Sequence, residues 1–479
     1  MSATTAHLGD CSIATLRTPQ DLYRILLLRK NGSDLLVAGT QPPFMLPCIE
    51  IPKWERVAEN MNAAMRRRYG ISALCLFTPE VSSATTCAGT PLYQVMEARG
   101  NRTEIPDETC WLPLNLFSDC PFADGRDSAA ISEMLRLLTD FQTRRTNGPF
   151  GRPAWIEELF SWAQHATAPC GLHLTGEVRQ LNASQSFALL RLETNGPALW
   201  FKAVGEPNLR EFSISITLSR LFPGFVPPII ATHSTWNGWL TTEIPYPTLA
   251  ESPDPLAWEL AVETLAELQI TSLGKTTDLL DAGCRDLRAS SLLAVVDPFM
   301  EVVSELMVQQ QKAFPPALTR DELRTLGIQI TEALSELAQL DIPNTLGHLD
   351  FNPGNILCSK DQCVFLDWAE AYIGAPFFSA EYLRVHQDRL KRRDRDSSAD
   401  LARTYEMRWG KILSPETISA MRILTPALAV FAYAAGTDSW RNPILLRNPS
   451  TAAYFRSLTR RMRGEVAQFQ NRRRTCRTP

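Results

Sequence analysis

The stretch of sequence that decides the fold is NTLGHLDFNPGNILCSKDQCVFLDWAE, residues 344–370. It places Asp350 two residues after His348 and five residues before Asn355. A short apolar run follows Asn355, and then come a polar turn of four residues, a second apolar run and Asp367. Two apolar runs joined by so short a turn predict a β-hairpin. Pairing across that hairpin would bring Asp367 back beside Asn355 and leave Asp350 alone in the preceding loop.

These side chains suit the transfer of a phosphoryl group. Amide and carboxylate oxygens are ligands for a hard divalent cation such as Mg²⁺, which keeps several waters and binds substrate phosphates. Phosphoryl transfer needs little covalent chemistry from a protein, because positioning and charge neutralisation do most of the catalysis. We therefore predict that Asn355 and Asp367 are metal ligands. Asp350 is the predicted catalytic residue, since it is left to face an incoming hydroxyl group.

The sequence HLDFNPGNIL, followed by VFLDW, resembles the aminoglycoside phosphotransferase family, a branch of the protein-kinase-like fold. The resemblance implies that Asp350 is the catalytic base and that Asn355 and Asp367 hold Mg²⁺. It also implies that ATP or GTP is the phosphoryl donor, and that His348 supports the catalytic loop by packing and hydrogen bonding. The resemblance covers about residues 155–380, and the remainder of the chain shares only a helical character.

The sequence upstream should supply the small lobe of such a fold. Lys202 lies in ALWFKAV, the second strand of a predicted hairpin that turns at residues 194–197. A lysine in an apolar run is costly to bury without a partner. A kinase-like lobe needs a lysine that holds the phosphates and a glutamate that holds the lysine. Glu211, near the start of a helix predicted over 207–222, is the predicted partner, and Glu206 is the alternative.

Two further nucleotide contacts are predicted. The chain has no GxGxxG motif, and the turn at residues 181–186 is polar instead. The short side chains of Ser184 and Ser186 would let backbone N–H groups and hydroxyls approach phosphates, although a plain polar hairpin is the alternative. Residues 241–244, which include Glu243, lie where the hinge between the lobes should be. Their backbone would bond the nucleotide base, an inference from topology alone.

The N-terminal region carries a second, weaker resemblance. WERVAENMNAAMRRRYGI, residues 54–71, fits the frame of the Nudix box, in which Glu55 and Gly70 match. Ala64, Arg67 and Arg68 stand where that box has its metal-binding glutamates. Because arginines cannot bind a cation, we predict a Nudix-like fold without Nudix chemistry, such as a regulatory or docking module. An unrelated amphipathic helix is the alternative.

Composition limits the class of protein and its surroundings. The chain has 479 residues, of which 44% are hydrophobic and 21% charged, an ordinary globular balance that excludes wholesale disorder. The net charge of -4 argues against a nucleic-acid-coating protein. No apolar run reaches the ~18 residues of a membrane helix. The 11 cysteines form no CxxC pair, so we expect free thiols and a cytoplasmic protein.

Together these patterns predict an α+β protein of two domains. Residues 1–150 form an α/β domain, and 151–479 form a bilobal kinase-like domain with a β-rich small lobe at about 171–245 and a helical large lobe at about 250–479. The predicted function is a Mg²⁺-dependent kinase that moves the γ-phosphate of ATP, or GTP, to a hydroxyl of a small molecule.

The acceptor of that kinase is left open. Amino sugars, aminoglycosides, choline-like alcohols and homoserine all remain candidates, while a protein acceptor is disfavoured because no APE-like anchor follows Asp367. The alternative function is a non-catalytic nucleotide-binding regulatory module, a pseudokinase fused to a degenerate Nudix domain. The nucleotide and a small-molecule acceptor are the predicted partners, no membrane is expected, and the oligomeric state is open.

Overall fold

The computed structural model describes residues 19–29, 32–53, 56–80, 91–100, 105–143, 149–252, 254–391 and 400–477. These residues form two compact units. The first comprises the described residues up to Glu206 together with Ala231–Leu240, and the second comprises the rest. The predicted domain boundary after residue 150 therefore lies inside the first unit, and it stays a prediction.

The first unit opens with a mixed sheet of six strands. Strand order is β4-β5-β1-β2-β6, and β3 also pairs with β1. β1 is parallel to β5 and antiparallel to β2 and β3. The elements are β1 (Gln20–Leu28), β2 (Asp34–Ala38), β3 (Cys48–Pro52), α1 (Val57–Tyr69), β4 (Ala73–Phe77), β5 (Leu92–Ala98), β6 (Thr109–Pro113) and α2 (Gly125–Thr143).

Helix α1 lies within residues 54–71, the segment that resembles the Nudix box, and it packs against this sheet. Its apolar residues Ala58, Met61 and Met65 are buried in the core beside the strands. The helix ends at Gly70, whose φ of 66° is the left-handed conformation that glycine adopts without a steric penalty. Trp54 and Glu55, at the start of the predicted frame, lie outside the described residues.

A second sheet in the first unit has the strand order β10-β11-β9-β8-β7. The predicted hairpin at 194–197 is present, because β8 and β9 pair antiparallel with Leu192 opposite Leu199. The turn is closed by the Gly196 N–H, which donates to Thr194 Oγ1 at 2.9 Å. The elements are α3 (Trp155–Thr167), β7 (Leu174–Ala183), β8 (Ala188–Thr194), β9 (Leu199–Ala203), and, after α4 of the second unit, β10 (Ile229–His233) and β11 (Gly238–Thr242).

A buried glutamine links the two sheets of the first unit. Gln180 on β7 is 1% exposed. Its side-chain oxygen accepts from the Cys75 N–H on β4 at 2.8 Å, and its side-chain nitrogen donates to the Cys75 carbonyl at 2.9 Å. Asn62 on α1 adds a third hydrogen bond, at 3.2 Å. The amide of Gln180 thus satisfies a strand backbone in the way a neighbouring strand would.

The second unit is mainly helical and has one large hydrophobic core. It also contains a three-stranded sheet in the order β12-β16-β13 and the two-stranded hairpin β14-β15. The elements are α4 (Arg210–Leu221), α5 (Pro255–Thr271), α6 (Thr276–Asp281), β12 (Arg285–Leu287), α7 (Ala289–Val308), α8 (Arg320–Gln339), β13 (Thr345–His348), β14 (Ile356–Cys358), β15 (Cys363–Phe365), β16 (Ala371–Gly374), α9 (Phe377–Lys391), α10 (Leu401–Trp409), α11 (Pro415–Gly436), α12 (Pro443–Leu446) and α13 (Pro449–Arg477).

Two sequence expectations need correction here. Helix α4 begins at Arg210 rather than at residue 207, so Pro207 precedes the helix instead of occupying its first turn. Cys358 and Cys363 stand opposite each other in the β14–β15 hairpin and are joined as a disulfide, so the expectation of free thiols is wrong for this pair.

Helix α11 is long and apolar enough to cross a membrane, as judged by its length and composition. It is the one such helix in the part of the chain that the structure describes. However, 61% of its apolar window is buried inside the protein, including Leu428 and Phe431 in the core of the second unit. This is the pattern of a core helix, and it supplies no argument for a membrane span.

Candidate active site

The candidate site begins at the antiparallel pair of strands β13 and β16. Gly347 on β13 faces Tyr372 on β16 in the antiparallel register. A Cβ atom on residue 347 would overlap the Tyr372 ring, so the close approach of the two strands requires glycine. The Tyr372 hydroxyl is in turn within 3.1 Å of Ser379 Oγ on α9. This packing fixes the end of β13, from which the next residues turn into the catalytic loop.

His348 ties the loop to the hairpin that follows it. The Asp350 N–H donates to His348 Nδ1 at 3.1 Å, so the ring proton belongs on Nε2, which lies 3.0 Å from the Leu366 carbonyl. Complete burial lowers the pKa of His348, which keeps the ring neutral. The imidazole therefore connects Leu366, the residue before Asp367, to the backbone of Asp350. In this way His348 positions the two aspartates relative to each other.

The Asp350 carboxylate is exposed but held in place. Asn352 Nδ2 donates to its Oδ1 at 3.0 Å, and Asn355 Nδ2 donates to its Oδ2 at 3.2 Å and to its backbone carbonyl at 3.0 Å. Two amides thus fix the orientation of the carboxylate while leaving it open to solvent. Preorganisation of this kind is what a group that must orient a reactant needs.

The hairpin β14–β15 brings Asp367 beside Asn355. The Leu366 N–H donates to the Asn355 carbonyl at 2.8 Å, directly before Asp367. Asp367 has a φ of 62° and a ψ of 63°, a left-handed conformation that aspartate tolerates better than most residues but that still costs free energy. Strain of this kind concentrates at functional sites, because the surrounding structure has to enforce it.

The donor atoms present fit Mg²⁺. The amide nitrogen of Asn355 is used toward Asp350, so the amide oxygen of Asn355 is the atom that could face a cation, with the Asp367 carboxylate as the second oxygen ligand. Mg²⁺ typically takes only one or two ligands from the protein, such as an amide oxygen and a carboxylate, and substrate phosphates and waters provide the other ligands. Among the described residues, no group of three or more His, Cys, Asp or Glu side chains could form an all-protein cage.

Helix α4 brings Glu211 toward the same region of the second unit. Glu211 is 2% exposed, and α4 packs against the turn Trp368–Glu370 that follows Asp367. Glu206, the alternative partner for Lys202, is exposed. A buried carboxylate needs a partner far more than an exposed one does. Which of the two glutamates partners Lys202 stays a prediction.

An ionic network anchors the start of α4. Arg210 and Arg285 both bind Asp438 Oδ2, at 2.7 and 2.8 Å, and Arg285 also binds Glu370 at 2.8 Å. Arg285 is mostly buried, with 9% of its side chain exposed. The network therefore connects α4, β12 and the turn after Asp367 through one central guanidinium.

Three predicted nucleotide-binding residues lie in the first unit. Lys202 on β9 stands opposite Leu189 of β8, and its ammonium is 5.9 Å from the centre of the Trp239 ring, within cation–π range. In the β7–β8 turn, the Ser186 N–H donates to Ser184 Oγ at 3.3 Å. Glu243, in the second unit, follows β11 directly. The predicted pairing of Lys202 with Glu211 stays a prediction.

Sequence reasoning missed two residues of this site. Asn352 binds the Asp350 carboxylate and also accepts the Gly354 N–H at 2.8 Å, so it shapes the whole loop. Ser379 accepts the His348 N–H at 2.8 Å. Asn352 could have been found, because an asparagine before Pro-Gly is a typical turn residue. Ser379 could not, because it reaches the loop from helix α9.

Comparison with known proteins identifies the central part of the chain. Residues 232–380 match the model of the phosphotransferase enzyme family. That segment contains Asp350, Asn355 and Asp367. No curated protein matches the chain significantly.

Several solved structures are similar to the chain. An ethanolamine kinase of Plasmodium vivax is 13% identical over 70% of this chain and 93% of its own, with a TM-score of 0.45. A choline/ethanolamine kinase family protein from Mesorhizobium loti is 16% identical over 64% of this chain and 98% of its own, with a TM-score of 0.41. The GDP and kanamycin complex of an aminoglycoside phosphotransferase is 16% identical over 65% and 99%, with a TM-score of 0.43. At these values they support no statement about a substrate.

The predicted α+β class is confirmed by the mixed sheets and helices, whereas the Nudix-like prediction for residues 1–150 is not confirmed, since the family model begins at residue 232. The match over residues 232–380 confirms, for this segment, the predicted family and the predicted enzyme class, a phosphotransferase acting on a hydroxyl group.

Proposed function

We propose that the protein is a small-molecule kinase that transfers the γ-phosphoryl group of a nucleoside triphosphate to an alcohol. The observation that carries the proposal is the loop in which Asn352 and Asn355 hold the exposed Asp350 carboxylate, next to the pair Asn355 and Asp367. One carboxylate open to an acceptor and one amide–carboxylate pair suited to Mg²⁺ are the two groups this reaction requires.

In this mechanism Asp350 accepts a hydrogen bond from the acceptor hydroxyl and orients its oxygen. The acceptor oxygen forms a bond to the γ-phosphorus, the bond from that phosphorus to the bridging oxygen breaks, and the hydroxyl proton passes to Asp350. Asn355 and Asp367 would hold Mg²⁺, which supplies positive charge against the triphosphate. His348 acts as a positioning residue through its bonds to Asp350 and Leu366.

The remaining predicted residues would bind the nucleotide. Lys202 would align the phosphates, with Glu211 holding Lys202 in place. The turn that contains Ser184 and Ser186 would cover the phosphates, and the backbone around Glu243 would bond the base. ATP or GTP is the proposed donor, and we propose a cytoplasmic location.

The test is a transfer assay with the full-length chain. The protein is incubated with ATP or GTP, Mg²⁺ and a panel of small alcohols, and mass spectrometry detects acceptors that have gained a phosphoryl group. We expect one class of acceptor to be phosphorylated in the presence of Mg²⁺ and none after chelation. If the protein binds nucleotide but phosphorylates no acceptor and leaves the nucleotide intact, the chain is the nucleotide-binding module and the proposal is wrong.

A further inference from the structure

A cavity in the second unit adjoins the candidate catalytic residue. Its volume is about 340 Å³, and Asp350 forms part of its wall together with residues of α9, α11 and α13. This size is at the small end of the range for ligand pockets. It suits a compound with the dimensions of a monosaccharide better than a molecule of several linked rings. Because Asp350 lines it, an acceptor bound in this cavity can present its hydroxyl to the carboxylate.

The two carboxylates of the cavity differ in their charge balance. Glu381 is bound by Arg384 through two hydrogen bonds, at 2.6 and 2.7 Å, and Arg384 also binds Asp388 at 2.6 Å, so Glu381 has its ion-pair partner within α9. A fork-to-fork pair of this kind is among the strongest ionic contacts in proteins. Asp350 is held by neutral amides instead. The Asp350 carboxylate therefore has no ion-pair partner among the residues that the structure describes, at the point where the hydroxyl has to bind.

The opposite charge is present in excess. Arg389 on α9 and Arg461 on α13 both line the cavity, and neither forms an ion pair with any residue that the structure describes. His386 also lines the cavity, and burial lowers its pKa, as do Arg389 and Arg461, while Asp350 acts in the opposite direction. His386 is thus a neutral donor or acceptor beside two guanidinium groups. Such groups are suited to planar anions, which they can bind through two hydrogen bonds at once.

Two tyrosines add a directional group. The Tyr454 hydroxyl donates to the Tyr433 hydroxyl at 2.8 Å, which leaves the Tyr433 O–H proton to be donated elsewhere. Both rings line the cavity and offer an apolar face with a polar edge. This pattern suits a polyhydroxylated compound whose ring packs on one face.

We propose that the acceptor is a hydroxy compound that carries an anionic group, a carboxylate or a phosphate, which binds to Arg389 and Arg461 while its hydroxyl binds to Asp350. The inference rests on the proposed kinase function, because it deepens the identity of the substrate at the same site. It disfavours the amino sugars and aminoglycosides among the predicted acceptors. Their ammonium groups would face Arg389 and Arg461, which have no ion pair within the described part of the chain, while Glu381 already has Arg384 as its partner.

The first experiment compares acceptors that differ in charge. Glucuronate, glucose 6-phosphate, glucose and glucosamine are titrated into the full-length protein, and binding is measured by ligand-observed NMR at constant ionic strength. We expect the two anions to bind at least about tenfold more tightly than glucose, and glucosamine to bind most weakly. The ratio between glucuronate and glucose 6-phosphate identifies the anionic group. Tighter binding of glucosamine, or no preference for either anion, would overturn the inference.

The second experiment uses arginine variants on the preferred anion. Arg461→Gln and Arg389→Gln should each weaken its binding by about tenfold or more, because each removes a charge-assisted contact. Arg463→Gln is the matched control. It lies on the same helix, binds Glu322 at 2.5 Å and does not line the cavity, so it should leave anion binding unchanged. Equal affinity in Arg461→Gln, Arg389→Gln and wild type would contradict the inference.

Transfer assays separate this inference from the function on which it rests. If wild type phosphorylates glucosamine and Asp350→Ala does not, the kinase function stands and the anionic acceptor is wrong. If an anion binds through Arg389 and Arg461 but no acceptor is ever phosphorylated, the anion site stands and the kinase function is wrong.

Discussion

The sequence likens both helix α1 and the loop at 344–370 to known metal-binding motifs, but the two regions differ in the side chains at the decisive positions. The loop has Asn355 and Asp367, whose oxygens can bind a cation. On α1 the corresponding positions hold Ala64, Arg67 and Arg68. The comparison teaches that residue spacing alone does not identify a site, because the side chains decide whether any chemistry is possible there.

The two regions also differ in what their polar groups do. In the loop, the side chains of His348, Asn352 and Asn355 all bond to the backbone or the carboxylate of Asp350, so the segment orders itself around one exposed carboxylate. On α1 the polar groups connect to other elements. Arg68 donates to the Cys48 carbonyl on β3 at 2.7 Å, and Asn62 donates to Gln180 on β7. Helix α1 is therefore built as a structural element.

The largest effect is expected from Asp367→Asn. Replacing a carboxylate with an amide removes a negative charge from the proposed Mg²⁺ shell, so Mg²⁺-dependent nucleotide binding and transfer should be abolished while the fold is kept. Calorimetry with ATP, with and without Mg²⁺, measures the change. Asp361→Asn, in the exposed turn of the same hairpin, is the control and should behave as wild type. Transfer at the wild-type rate by Asp367→Asn would show that the carboxylate has another role.

A smaller loss is expected from Lys202→Ala. The variant removes the ammonium that we propose aligns the phosphates, so the affinity for ATP should fall about tenfold to a hundredfold, and transfer should fall with it. Lys360→Ala, on the exposed hairpin turn, provides a control with the same change of side chain. Unchanged affinity for ATP in Lys202→Ala would remove this residue from the nucleotide site.

Gln180→Ala tests the structural role of the region around α1. The variant leaves the Cys75 N–H and carbonyl on β4 without their partner, which should lower the free energy of unfolding by about 2–4 kcal/mol. Asn62→Ala removes one hydrogen bond to the same amide and should cost about 0.5–1.5 kcal/mol. Urea unfolding of both variants gives the two values. A loss for Gln180→Ala no larger than for Asn62→Ala would mean that Gln180 does not join the two sheets.

No hydrolytic activity is expected from the region around α1. The full-length protein should hydrolyse no nucleoside diphosphate derivative with Mg²⁺ or Mn²⁺, because Ala64, Arg67 and Arg68 cannot bind either ion. Ion chromatography of the products is the measurement. Metal-dependent hydrolysis that persists in Asp350→Ala, which keeps α1 intact, would place a second active site in the N-terminal region.

The sequence was sufficient for features that depend on local pattern. The apolar runs and short turn at 356–365 predicted the β14–β15 hairpin, and Thr319 with Glu322 forms the capping box that starts α8. The start of α4 was missed by three residues, because proline at a helix start is a preference that the loop before Arg210 overrides. The disulfide between Cys358 and Cys363 was missed because a separation of five residues reveals pairing only once the strand register is known.

Features that depend on distant elements could not be predicted. Ser379 reaches His348 from α9, and Arg461 reaches the cavity beside Asp350 from α13, more than a hundred residues further along the chain. Local pattern contains no information on such contacts, since they depend on how helices pack. The sequence therefore predicted the residues proposed for the chemistry and the positioning residue His348, but not Ser379 or the arginines proposed to select the acceptor.

The central claim is that Asp350 acts on the acceptor and not on the nucleotide. The most direct test measures ATP affinity by calorimetry and product formation by mass spectrometry for wild type and Asp350→Ala, with the acceptor found in the panel. We predict that the affinity for ATP stays within about twofold while product formation falls by about 10²–10⁴-fold, the usual cost of losing a general base. Equal product yield from the two proteins would contradict the kinase mechanism.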